Sequence, residues 1–236
     1  MSRGARSLSL SSEEDVPISI ATATLGGSLT LPGDAAGLVI FAHGSGSSRF
    51  STRNRRVAHA LQYAGFGTLL FDLLTESEER QDAFTGHLRF DIDFLATRLQ
   101  QVTRWVQSHP ETQHLPIGFF GASTGAAAAL VAAAKEPENV RAVVSRGGRP
   151  DLASDHLPNV QAATLLIVGG EDEPVIPLNE YAFARIKAIK RLEIVPGATH
   201  LFEEPGALEA VADLAAAWFE FHLRPTVILK REDAGS

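Results

Sequence analysis

Residues 115–134 join a continuous apolar run, Leu115 to Phe120, to an alanine-rich stretch, Ala126 to Ala134, through Gly121-Ala122-Ser123-Thr124-Gly125. The run reads as a strand covered on both faces and the alanines as a helix, so the five residues between them must form a very tight strand-to-helix turn. A G-x-S-x-G sequence in that setting is a nucleophile elbow, which lifts a serine Oγ above the carboxyl edge of a sheet. Gly121 and Gly125 lack a Cβ, which lets strand and helix approach closely around a serine held in an otherwise disfavoured conformation. Ser123 is therefore the candidate nucleophile.

The same alternation extends along the chain. Gly37–Ala42, Thr68–Asp72, Pro116–Gly121, Arg141–Ser145, Thr164–Gly169 and Arg191–Val195 are short apolar runs. Segments with helical spacing lie between or after them: Asn54–Tyr63, Asp91–Gln107, Thr124–Lys135, Leu178–Ile189 and Ala207–His222. This order predicts an α/β fold with a mostly parallel central sheet and helices on both faces, in which the loops at the carboxyl ends of the strands build the site. Val16–Leu31 alternates loosely and contains Gly26-Gly27, which predicts an edge hairpin turning at those glycines. The charge run Glu76–Arg80 reads as a solvated loop or the start of a helix. One domain is expected over residues 16–224, with a flexible leader at 1–15 and a C-terminal tail at 225–236.

A serine hydroxyl needs a base within hydrogen-bond reach and an acid to orient that base, and at such elbows the chain order is serine, acid, histidine. Asp172 follows the run ending at Gly169, and His200 follows the run ending at Val195. The oxyanion of a tetrahedral intermediate needs preorganised N–H donors. Thr124, next after the nucleophile, supplies one. The loop His43-Gly44-Ser45-Gly46-Ser47-Ser48 is expected to supply the other through Ser45, with Gly46 as the alternative. His43, directly at a strand end, reads as a structural hydrogen-bonding residue that shapes this loop.

Composition narrows the chemistry. The chain has no cysteine, which excludes disulfides, thiolate metal sites and a cysteine nucleophile. A net charge of -7 argues against nucleic acid or an anionic membrane as partner. Met1–Asp15 holds no apolar core long enough for a signal peptide and no later run approaches ~20 apolar residues, so a cytoplasmic location is expected. Glu171, Asp172 and Glu173 are consecutive, so they do not converge on one ion, and neither a metal nor a cofactor is expected.

The phrases FAHGSGSSRFSTRNRRVA, LLFDLLT, GFFGASTGAAAAL, VVSRGGRPDL, LLIVGGEDEPV and PGATHLFEEPGAL resemble the dienelactone hydrolase-like branch of the α/β-hydrolases. The resemblance covers roughly residues 16–222. It implies an α/β-hydrolase fold with Ser123 as nucleophile, Asp172 as orienting acid and His200 as base. The elbow carries serine where dienelactone hydrolases carry cysteine, so a lactone substrate is not implied. Members of this subgroup also occur fused to phosphoribosyltransferase-like domains, and no segment here is long enough to be one.

Only Arg146–Ala163 separates the two strands between which many relatives insert a lid, so no separate lid domain is expected. A small or short-acyl ester is the expected substrate of a carboxylesterase-like serine hydrolase. The same triad would serve an acyltransferase or thioesterase, and the fold could also carry a non-catalytic ligand-binding protein. Arg49, Arg53, Arg146 and Arg149 lie on loops around the expected site. Arg49 and Arg53 read as partners of acidic neighbours, whereas Arg146 and Arg149 are candidates to bind a substrate carboxylate or phosphate. A monomer or homodimer is expected.

Overall fold

In a computed structural model, residues 12–224 are described. Strands β1 (Glu14–Ile20) and β2 (Ala23–Thr30) open the chain, followed by β3 (Leu38–Ala42), α1 (Thr52–Tyr63) and β4 (Gly67–Phe71). Helices α2 (Glu76–Thr85), α3 (His87–Phe90) and α4 (Ile92–Ser108) precede β5 (Ile117–Ala122) and α5 (Thr124–Lys135). Then come β6 (Ala142–Arg146), a 3-10 segment (Pro150–Asn159), β7 (Ala163–Gly169), α6 (Ile176–Arg185), β8 (Lys190–Val195) and α7 (Ala207–Leu223). The tail expected at 225–236 and most of the expected leader lie outside the described residues; β1 already begins at Glu14.

The eight strands form one sheet in the order β1-β2-β4-β3-β5-β6-β7-β8. β1 and β2 pair antiparallel with each other and β2 antiparallel with β4; the pairings from β4 to β8 are parallel. Successive residues of a strand point to opposite faces. Thus Leu38, Ile40 and Ala42 join the core beneath α4, α5 and α6, while Val39 and Phe41 join the core beneath α1 and α7. This double burial is why each central strand is a continuous apolar run. Helix α5 is buried from Thr124 through Ala133, and its alanines allow it to lie close against the sheet.

The six expected parallel strands are all present, displaced by at most one residue at either end. The edge hairpin is also present, but its turn falls at Ala21-Thr22, because Ile20 pairs with Ala23. Gly26 and Gly27 lie inside β2. A Cβ on Gly27 would stand 2.7 Å from Cδ1 of Ile18, so this glycine serves close packing of a strand interior. Helix α6 stops at Arg185, short of the expected Ile189: the chain turns extended at Ile186, and the Lys190 ammonium donates to the carbonyls of Phe183 and Ile186, at 2.6 Å each. Among the described residues no helix is long and apolar enough to cross a membrane.

The segment between β4 and α4 is ordered by polar contacts. Thr75 and Glu78 form a reciprocal capping box at the start of α2, and Glu78 pairs with Arg98 of α4. Asp82 is the one buried residue of α2. Its carboxylate accepts from the N–H groups of Leu88 (2.6 Å) and Arg89 (3.2 Å) and from Arg89 Nε (2.6 Å). Removing a buried carboxylate strands these donors, at about 1–3 kcal/mol for each unsatisfied group. Asp82→Ala is therefore expected to speed amide hydrogen exchange across residues 76–90 while leaving β3 and β5 protected; unchanged exchange in α2 and α3 would show that Asp82 does not anchor them.

Candidate active site

β5 ends at Ala122, and Ser123 takes φ 51, ψ −124, a conformation rare for a residue with a side chain. Its surroundings enforce it. Cβ atoms on Gly121 or Gly125 would collide with the backbone of Ala126 and with the carbonyls of Ala42 and His43, respectively. The Ser123 carbonyl accepts from the N–H groups of Ala126 and Arg149, at 3.1 Å each. The half-buried serine therefore stands at the N-terminus of α5, where the unpaired N–H groups of the first turn favour negative charge.

Asp172 and His200 come together from separate loops. Asp172 follows β7 and is turned inward, its N–H donating to the Gly169 carbonyl at 3.0 Å. Its Oδ2 lies 2.7 Å from Nδ1 of His200, so the Nδ1–H donates to the carboxylate and Nε2 is the lone-pair nitrogen. The aspartate side chain is 9% exposed and the histidine 38%. No hydrogen bond joins Ser123 Oγ to His200 among the described residues. The histidine loop is itself held: Thr199 donates from N–H (3.1 Å) and Oγ1 (2.6 Å) to Glu204, whose carboxyl is pulled below its ordinary range by the Thr199 hydroxyl and by backbone N–H groups. Phe202, buried at φ 56, anchors the loop in the core beneath α1 and α7. Sequence reasoning missed Phe202 and Glu204; the T-x-x-x-x-E spacing from Thr199 is the signal that was available.

The loop after β3 passes directly over the serine: a Cβ on Gly44 would stand 3.0 Å from Cβ of Ser123. His43 shapes this loop, as expected. Its Nε2 lies 3.0 Å from the Leu73 N–H, which can only donate, so Nδ1 carries the proton and donates to the Gly44 carbonyl at 2.9 Å. The Ser45 N–H, expected to face a substrate oxygen, instead donates to Thr124 Oγ1 at 3.0 Å. The N–H groups of Thr124 and Gly46 have no hydrogen-bond partner among the described residues. Beside these donors lies a small pocket, bounded by Gly44–Ser47 and Thr124 on one side and by Leu73, Leu74 and Leu95 on another. Glu79 of α2 and Arg89 of α3 also line it, so the expected solvated charge run begins a helix that walls the site.

The four arginines separate clearly. Arg49 contacts Asp15, Asp72 and the Gly27 carbonyl, and Arg53 pairs with Glu203 at 3.0 Å. Arg149 forks onto Asp151 with two bonds of 2.9 Å, which raise its pKa above the ordinary value. Arg146 is 6% exposed and donates from Nη2 to Asn54 Oδ1 at 3.1 Å; among the described residues it pairs with no carboxylate, and its Nε is buried without a partner. Burial, and then the neighbouring Arg53, push its pKa down to about 10, so it remains a cation at neutral pH.

Burial also lowers the pKa of His43 below its ordinary 6.5, against the upward pull of the Gly44 carbonyl, Asp72 and Glu79. A base whose folded pKa is depressed contributes its full stability above the unfolded pKa and loses it as pH falls through the folded one. The protein is therefore expected to lose stability below about pH 6.5, and His43→Gln to flatten that loss in denaturant titrations at pH 7.5 and pH 5. Parallel losses in both proteins would exonerate His43.

Residues 25–222 match the model of the dienelactone hydrolase family. A dienelactone hydrolase of Anabaena variabilis is 60% identical in its crystal structure, over 90% of this chain and 99% of that one, with a TM-score of 0.89. An esterase of Pyrococcus furiosus shares the fold at 17% identity and a TM-score of 0.68, over 90% of this chain and 92% of that one. A Mycobacterium tuberculosis protein provisionally named phosphoribosyl transferase is 59% identical over 211 residues, 89% of this chain and 47% of that protein. The chain thus spans about half the length of the curated relatives it matches. With the family model covering strands β3 to β8, the elbow and the acid and histidine loops, this chain belongs to the dienelactone hydrolase family.

Proposed function

We propose that this protein is a serine hydrolase of small carboxylic esters, acting through an acyl-enzyme on Ser123. The observation that carries the reading is the 2.7 Å bond from Asp172 to Nδ1 of His200. It fixes the tautomer that leaves Nε2 free to take a proton, on a histidine still open to solvent, while the serine is held in the elbow conformation at the end of β5. His200 Nε2 accepts the Ser123 proton as Oγ bonds to the carbonyl carbon. The tetrahedral intermediate then collapses, and the alcohol leaves with the proton from Nε2. Water, deprotonated by the same nitrogen, attacks the acyl-enzyme and releases the acid. In this reading the hydrogen bond from Oγ to Nε2 has to form when substrate binds. The Thr124 N–H is the first donor to the oxyanion. Geometry in residues 12–224 supports acyl chemistry, and the transferase name belongs to a protein of about twice this length.

The pocket beside Thr124 is narrow, with a free volume of about 10 Å³ between Leu73, Leu74, Leu95 and the Gly44–Ser47 loop, which favours a short acyl group. Hydrolysis of p-nitrophenyl esters from acetate to decanoate is expected to peak at short chains. Ser123→Ala is expected to remove it by several orders of magnitude, and Asp172→Asn to lower kcat roughly 10⁴-fold. A wild-type protein that neither hydrolyses these esters nor labels with a fluorophosphonate would exclude this reading.

In this reading Arg146, a buried cation with no carboxylate partner among the described residues, meets an anionic group on the substrate, whereas the Arg149 fork is already filled by Asp151. Arg146→Ala is then expected to raise KM for an anionic ester well above its effect on a neutral one. Equal effects would return Arg146 to a scaffold role beneath the histidine loop.

A further inference from the structure

We propose that the side-chain hydroxyl of Thr124 is an oxyanion donor, and that the Ser45 N–H acts through it. This rests on the ester-hydrolase reading above. An N–H carries one proton, and that of Ser45 is directed into Thr124 Oγ1 at 3.0 Å. The bond settles the direction of the pair: Oγ1 accepts from Ser45, so the hydroxyl proton must be given elsewhere. Among the described residues it has no acceptor. Thr124 is 5% exposed, and it shares the lining of the pocket with Gly44, Ser45 and Gly46.

Thr124 is thus a buried hydroxyl with an unused donor, one residue from the nucleophile. It is also the first residue of the twelve-residue helix α5, so its own N–H has no intrahelical acceptor. N–H and Oγ1–H of one residue lie close enough to converge on a single oxygen. Accepting from Ser45 polarises the hydroxyl and strengthens it as a donor, and the helix terminus favours the negative charge that develops beside it. The oxyanion is held by two donors of one residue, and Ser45 is a positioning residue that orients the second. No proton changes hands: the hydroxyl keeps its hydrogen throughout acylation and deacylation.

The rival arrangement makes the same contact a plug, in which Thr124 Oγ1 occupies the Ser45 N–H that substrate needs. The two differ in sign. Thr124→Val keeps the shape and removes the hydroxyl, Thr124→Ser keeps the hydroxyl, and Thr124→Ala is the second deletion if valine does not fold, as judged by circular dichroism and thermal midpoint. Each is assayed on p-nitrophenyl acetate and for inhibition by an aryl trifluoromethyl ketone, whose adduct with a serine carries the oxyanion. The expected result is a kcat lower by roughly 10²–10³ in Thr124→Val with little change in KM, and most of the rate regained in Thr124→Ser. Ketone affinity should fall by the same factor as kcat/KM, which a merely structural loss would not produce. Wild-type or higher kcat in Thr124→Val, an equal loss in Thr124→Ser, or unaltered ketone affinity overturns the assignment. Because wild-type turnover and fluorophosphonate labelling of Ser123 are read in parallel, their absence would bring down the ester-hydrolase reading itself, and with it this one. Their presence with an undiminished Thr124→Val would overturn this one alone.

Discussion

The carboxyl edge of the sheet depends on how closely α5 is drawn beneath β3 and β5. Ser123 sits at φ 51, a conformation that costs of order 1–3 kcal/mol and persists only where the surroundings over-determine it. Here they do: Gly121 and Gly125 sit where a Cβ would meet backbone, and two N–H groups grip the serine carbonyl. The alanines of α5 let the helix lie deep in the core. One steric fit therefore places the serine, aims the helix N-terminus at the site, and brings Thr124 against the Gly44–Ser47 loop.

The loops around that point are held by directed polar contacts rather than by apolar packing alone. His43 ties the loop after β3 to the end of β4, Asp172 orients His200, and Glu204 closes the histidine loop onto Thr199. Asp82 draws α3 onto α2. Hydrogen bonds to backbone N–H groups specify both distance and direction, which apolar contact does not. A site that handles developing charge needs that precision. Each anchor is a short side chain whose partners are set by the fold, so a single substitution can unfasten one loop while the sheet stays intact.

Much of the fold was legible because a parallel strand covered on both faces has to be apolar throughout, and such runs stand out from amphipathic helices. The edge was harder to read. Gly26-Gly27 looks like a turn, yet pairing of Ile20 with Ala23 places both glycines within a strand, where Ile18 needs the space of one absent Cβ. The early end of α6 depends on Lys190, a residue beyond the helix that caps its last carbonyls. Helix α2 has almost no apolar face to betray it, and its one buried residue is a carboxylate.

By itself the sequence determined the α/β class, the tight turn at Ser123, and the placement of Asp172 and His200 in loops that follow strands, because each rests on local pattern: run length, glycine spacing and position after a strand. It also indicated that His43 was structural. Only the tertiary structure decided that Ser45 spends its N–H on Thr124, that Asp151 fills the Arg149 fork, that Arg146 lies buried against Asn54, and that α2 and α3 wall the pocket. The physical reason is that a donor or a charge is defined by its partner. Partners such as Ser45 and Thr124, or Asn54 and Arg146, lie 79 and 92 residues apart along the chain and meet only when the sheet has closed.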